Sequence, residues 1–118
     1  MKTPTRPFSD IPGLAAATAA LYSMIPPTQS NAKPIGEYNQ SRVVVKGNHI
    51  EHWLNGALIA QYELWSPEWL LKLRGDPADP SKPPLKFAPY ADWGMAKIGF
   101  IAIQGDHDGE LSMRNIKI

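Results

Sequence analysis

The chain has no cysteine, which excludes disulfides, thiolate metal sites and a cysteine nucleophile. Charge of one sign is missing too. Lys plus Arg is 12 and Asp plus Glu is 11, a formal net charge of +1. Nothing electrostatic therefore argues for nucleic acid or for an anionic membrane surface as partner. No stretch reaches the ~18 uncharged apolar residues of a transmembrane helix. Heptads, internal repeats, a Gly-rich phosphate loop, a Walker motif and a nucleophile elbow are all absent. A metal finds weak support. Asp106, Asp108 and Glu110 alternate as in oxygen-rich calcium loops, but the twelve-residue pattern is incomplete. His49 and His52 lack a third ligand at zinc spacing, so no cofactor is expected.

What is present is proline. The 12 prolines make about 10% of the chain, roughly twice average usage, and they break helices and central strands. A loop-rich β protein follows, and 118 residues suffice for one domain. The start, with basic Met1–Arg6 before apolar Ile11–Ile25, resembles a signal peptide in outline. Ser9-Asp10 and Pro12-Gly13 interrupt it, however, and Pro26-Pro27 follows without a small-x-small site. The expectation is a tail over residues 1–17 and a domain over 18–118. Residues 14–25 read as a short alanine-driven helix or as a strand ending at Ile25, and 26–36 as a loop.

Strand signals are strong from Tyr38. Ser41–Lys46 stops at the Gly47-Asn48 turn, Ile50–Leu54 at Asn55-Gly56, and Ala57–Leu64 returns as a third strand. Asn-Gly is the strongest short hairpin signal, so a meander is predicted. Ser66-Pro67 opens a short helix with Trp69, Leu70 and Leu73 on one face and Gly75 as its stop. Asp76–Pro89 holds five prolines and is a long irregular loop, with Phe87, Tyr90 and Trp93 available to pack onto the sheet. Ile98–Gln104 and Glu110–Ile118 read as a second hairpin.

Gly36-Glu-Tyr-Asn39, Val43–Asn48 and His52-Trp-Leu-Asn-Gly56 occur in order, with Ala20–Pro26 before them and Ser66-Pro-Glu-Trp69 and Met113-Arg-Asn-Ile-Lys-Ile118 after. Together they resemble the 3-keto-disaccharide hydrolase domain family. The resemblance implies an all-β, antiparallel β-sandwich of the concanavalin A-like (jelly-roll) type. It covers about residues 18–118 and matches only the C-terminal part of the family domain. The sandwich is therefore expected to be partial, with one short helix and a long Pro-rich loop. Missing strands expose edges and an inner sheet face. A rearranged small sandwich, self-association into a homo-oligomer, or a marginally stable partial domain that lacks its N-terminal part is the expected consequence. Secretion or a periplasmic location is implied by the family alone.

The implied reaction is cleavage of a 3-keto-glycoside by elimination and hydration. It needs a base near neutrality, a donor for the enolate oxygen and an acid for the leaving group. In the resemblance, His107 is the candidate base, Asp106 or Asp108 orients it, and Arg114 supplies a fork of donors. Gln104 joins them in the loop Gln104–Gly109, where an inserted Gly105 departs from the family pattern and shifts the register. The same loop also reads as a plain polar hairpin tip, and Arg114 as an exposed edge charge. His52 and Trp53 face opposite ways on their strand. His52 shares its face with Ile50 and Leu54, as a ligand-facing or a core-border histidine. Trp53, with His49 and Glu51, is either an aromatic platform for a carbohydrate ligand or packing beneath the Pro-rich loop. Asn55 sets the turn and is the remaining substrate-binding candidate. Three readings stay open: a glycoside-cleaving hydrolase, a non-catalytic carbohydrate-binding module, and a partial domain inactive without a partner chain.

Overall fold

The structure is a computed structural model that describes residues 18–104 and 108–118. Its regular elements are β1 (Ser41–Lys46), β2 (His49–Leu54), β3 (Ala57–Glu63) and α1 (Pro67–Arg74). The strands form an antiparallel sheet in the order β1-β2-β3, the predicted meander. Asn55 and Gly56 carry φ of 50° and 82°, the left-handed pair that a two-residue hairpin needs and that Asn-Gly adopts at low cost.

The β2–β3 ladder contains a bulge. His52 pairs with Ala60 and Trp53 with Leu58, which leaves Ile59 as the extra residue. The bulge turns two successive side chains inward: Ile59 is 0% exposed and Ala60 is buried beside it. The Ile59 carbonyl, displaced from the ladder, accepts instead from the Thr28 amide at 2.8 Å and the Thr28 hydroxyl at 3.0 Å. Residue 28 thereby fastens the polar N-terminal loop to the sheet. Ile50, Leu54, Ile59 and Ala60 form the buried part of the inner face. Each larger side chain there contributes about 1.5–3 kcal/mol.

Helix α1 forms as its caps dictate. The Ser66 hydroxyl accepts from the Trp69 amide at 3.1 Å, Pro67 starts the first turn, and Gly75 closes the end at φ 78°. Trp69 and Leu73 are buried with Met24 in a second cluster, joined by Ile25, Tyr62, Phe87 and Trp93. Phe87 and Trp93 stack at 4.4 Å, and Trp93 stacks on Trp69 at 6.4 Å. The Pro-rich loop therefore packs on the helix and the residue 21–25 turn rather than across the sheet, and Tyr90 stays exposed. Residues 21–25 are neither helix nor strand. Leu21 and Ile25 exchange amide-carbonyl bonds of 2.9 Å in a tight reversal.

The second hairpin is not formed among the described residues. Residues 98–104 and 108–118 have no regular structure and all are exposed, including Phe100, Ile101, Leu111 and Ile116. Alternating apolar residues make a strand only where an edge and a covering layer receive them. Asn115, at φ 57°, also interrupts the extended run. Arg114 is accordingly not a mid-strand residue. Among the described residues no helix is long and apolar enough to cross a membrane.

Candidate functional site

The outward face of the sheet collects one continuous polar chain. Because side chains alternate along β2, His49, Glu51 and Trp53 share this face, opposite the buried Ile50 and Leu54. The Trp53 indole N–H donates to Glu51 at 2.6 Å. The other Glu51 oxygen lies 3.2 Å from His49 Nε2, and His49 Nδ1 meets Glu63 at 2.5 Å. Both imidazole nitrogens face carboxylate oxygens, which only accept when ionised, an arrangement that favours the imidazolium. The His49 pKa is accordingly raised, first by the bond to Glu63 and then by that to Glu51. The Glu51 carboxyl is held below its ordinary range by the Trp53 donor and by His49. From β1, the Arg42 guanidinium lies 4.8 Å from the Trp53 ring centre. The face thus presents an aromatic ring, a guanidinium and two carboxylates, a set suited to hydroxyl groups. Arg42 already lies over the Trp53 ring, so a sugar stacking there would displace the guanidinium or approach elsewhere on the ring.

His52 belongs to the other face. Its Nδ1 lies 2.8 Å from the Ala19 carbonyl and its Nε2 3.1 Å from the Tyr62 hydroxyl. A carbonyl can only accept, so Nδ1 carries the proton, and in the neutral ring Nε2 accepts from Tyr62. Burial pushes the Tyr62 phenol above its usual pKa, which keeps that hydroxyl protonated. With both nitrogens engaged, His52 ties the residue 19 backbone to β3.

Asn55 is equally committed. Its amide nitrogen donates to the Asn31 carbonyl at 2.7 Å and to Asn39 Oδ1 at 2.9 Å, and its oxygen accepts from the Gln40 amide at 2.8 Å. The side chain that shapes the turn also organises the loop over residues 31–40.

Asp106 and His107 lie outside the described residues. Gln104 and Arg114 are exposed, and the Arg114 guanidinium stacks 3.9 Å from the Tyr38 ring centre. No described carboxylate forms an ion pair with Arg114. The described residues therefore join Trp53 to His49, Glu51, Glu63 and Arg42, and leave His52 and Asn55 off that face. Sequence reasoning missed Glu63. Counting back from Asn55-Gly56 without a bulge places Tyr62 opposite His49, and the extra Ile59 moves Glu63 into that place. Among the described residues no group of three acidic or imidazole side chains is arranged to hold a metal ion.

A family model described as the 3-keto-alpha-glucoside-1,2-lyase-like domain matches residues 7–118. A Bacteroides thetaiotaomicron protein named 3-keto-disaccharide hydrolase is 34% identical over 102 residues. That alignment takes in 86% of this chain and 35% of the relative, so the chain spans about a third of the relative's length. A crystal structure from Parabacteroides distasonis, provisionally assigned as a glycosyl hydrolase, is 33% identical with a TM-score of 0.47. It covers 49% of this chain and 27% of its own. With the family model covering nearly every residue, the chain belongs to the 3-keto-alpha-glucoside-1,2-lyase-like domain family.

Proposed function

We propose that this chain serves a glycosyl hydrolase-like domain that cleaves 3-keto-glycosides by elimination and hydration. The family match over residues 7–118 carries the reading, and the name of the B. thetaiotaomicron relative agrees with it. The C3 ketone acidifies the C2 proton. A base removes it, the electron pair passes through the enolate, and the C1 substituent departs with a proton. Water then adds to the unsaturated intermediate to give the free keto-sugar. His107 is the proposed base, Asp106 its orienting partner, and Arg114 with Gln104 the donors to enolate and sugar oxygens. The outer sheet face, with Trp53, Arg42 and Glu51, holds the sugar.

Catalysis is proposed to need the complete sandwich. Val43 and Val45 continue the inner face onto β1, yet are 59% and 64% exposed. The described apolar residues between 98 and 118 are uncovered as well. Further strands, from polypeptide corresponding to the rest of the relative, would bury these surfaces and seat the loop around His107. The same exposure supports a second reading, a non-catalytic sugar-holding piece. Export beyond the cytoplasm belongs to the proposal as a family expectation.

The test is release of nitrophenol from a nitrophenyl 3-keto-α-glucoside, by this chain alone and with the N-terminal part of the family domain added. Turnover that disappears in His107→Ala supports the enzyme. Sugar binding without turnover in either case would leave the module, and absence of both would refute the two readings together.

A further inference from the structure

On the outer sheet face Glu63, His49, Glu51 and Trp53 touch in sequence, and the chain ends on an aromatic ring. Glu51 is its pivot. One oxygen accepts from the Trp53 indole at 2.6 Å, and the other faces His49 Nε2 at 3.2 Å. An ionised carboxylate has no proton to offer, so the second contact is a hydrogen bond only while Nε2 carries a hydrogen. On the far side of the imidazole, Glu63 meets Nδ1 at 2.5 Å. This is the shorter and therefore the stronger of the two imidazole contacts.

The inequality of the two contacts selects which proton leaves. The His49 side chain is 33% exposed, so it titrates in contact with water. When the imidazolium becomes neutral, Nδ1 keeps its hydrogen on Glu63, and Nε2 becomes a lone pair facing a carboxylate oxygen. Glu51 then loses a donor and meets an acceptor in its place. The other charged groups around the ring do not replace that donor. From β1, Lys46 lies in register with His49 and attracts Glu51 by charge, while Arg42 sits over the Trp53 ring. From α1, Glu68 and Lys72 line the same groove as His49 and Glu63, one of each sign.

We propose that Glu63 and His49 are positioning residues for Trp53: Glu63 fixes the imidazole, its Nε2 proton holds Glu51, and Glu51 holds the indole. Loss of that one proton lets Glu51 turn toward Lys46 and frees the ring. A ring clamped at its N–H is a preorganised platform, so this face binds sugar more tightly with His49 charged. The bonds to Glu63 and Glu51 raise the His49 pKa; the clamp is closed below that folded value and opens above it. The coupling stands on the geometry, and its consequence for sugar rests on the reading that this face holds the ligand.

The experiment is an NMR pH titration of the ¹³C-labelled chain, following the ring C–H signals of His49 and of the 4 tryptophans, with Trp53→Phe identifying the Trp53 signal. That signal is expected to move with the His49 midpoint. In Glu63→Gln the side-chain amide donates to Nδ1, the one arrangement that satisfies every group, so the neutral ring keeps its hydrogen on Nε2. The Trp53 signal of this variant should no longer follow His49. Methyl α-glucoside should bind roughly fivefold more weakly above the midpoint than below it, the worth of one hydrogen bond. A Trp53 signal that stays still through the midpoint overturns the proposal. So does one that still follows pH in Glu63→Gln, and so does equal sugar affinity on both sides of the midpoint. Coupled titration with no sugar bound at either pH upholds the positioning role and refutes instead the reading of this face as the sugar site.

Discussion

Replacing Asn55 separates a structural from a ligand-binding role, because its three side-chain hydrogen bonds are all internal. In Asn55→Asp the shape and the tolerance of φ 50° are kept, and the acceptor for the Gln40 amide remains. The two donors are lost. A carboxylate oxygen then faces the Asn31 carbonyl and Asn39 Oδ1, formerly 2.7 and 2.9 Å from an N–H donor. Two hydrogen bonds at about 1 kcal/mol each give a loss of roughly 2 kcal/mol, before the repulsion between acceptors is counted. For a chain of this size that lowers Tm by about 10 °C. Asn55→Gly keeps the turn but loses all three bonds, and should fall by a similar amount. Near-UV circular dichroism reads both melts. Two variants melting within ~2 °C of the parent while losing a sugar-induced shift in Tm would refute the structural assignment. Asn55 would then be a ligand contact.

Three further outcomes follow from the geometry. Because the His49 pKa is raised in the folded chain, its ion pairs stabilise fully below the unfolded value near 6.5 and are lost as pH rises through the folded value. Glu51, whose pKa is lowered, contributes above its unfolded value and loses that contribution as pH falls through the folded one. An NMR titration should place the His49 midpoint above 6.5, and His49→Gln should flatten the alkaline side of the stability profile. Gly75→Ala forces a Cβ to 2.6 Å from Pro84 N and 2.9 Å from the Lys82 carbonyl, at φ 78°. A loss of about 2–4 kcal/mol is expected in urea denaturation. Thr28→Val removes the 3.0 Å bond to the Ile59 carbonyl and should cost about 1 kcal/mol, with faster hydrogen exchange in β3.

The parts legible in the sequence are those specified by neighbours in the chain. Asn55-Gly56 closes a hairpin by its own φ preferences, and Ser66-Pro67 with Gly75 bounds α1 through caps a few residues apart. The division of β2 into a His52 face and a Trp53 face follows from alternation alone. What was not legible depends on distant partners. No local signal announces that Ile59 is the bulged residue, because the bulge is completed by Thr28, about 31 positions away in the hydrogen bond that secures it. Without the bulge the pairing of His49 with Glu63 cannot be read. The orientation of the Pro-rich loop likewise rests on Trp93 meeting Trp69.

The C-terminal stretch shows the same rule from the other side. Its apolar residues have the composition of strands, and their pattern predicts a hairpin. A strand is stabilised by its ladder and by cross-strand and cross-layer contacts, each worth about 0.2–1 kcal/mol, against about 1–2 kcal/mol per residue of backbone ordering. An isolated two-stranded hairpin does not overcome that cost. In this structure Ile98, Phe100, Ile101 and Ile103 have no sheet beside them and stay exposed, as do Leu111, Ile116 and Ile118. Among the described residues β1 meanwhile has an unpaired edge next to the uncovered Val43 and Val45. The proposed hydrolase reading therefore carries a physical requirement: whatever polypeptide completes the sandwich must satisfy that edge and these residues together. Activity restored by added strands should then appear along with protection of the β1 amides and of residues 98–104 from hydrogen exchange. Activity gained without that protection would separate catalysis from completion of the sheet.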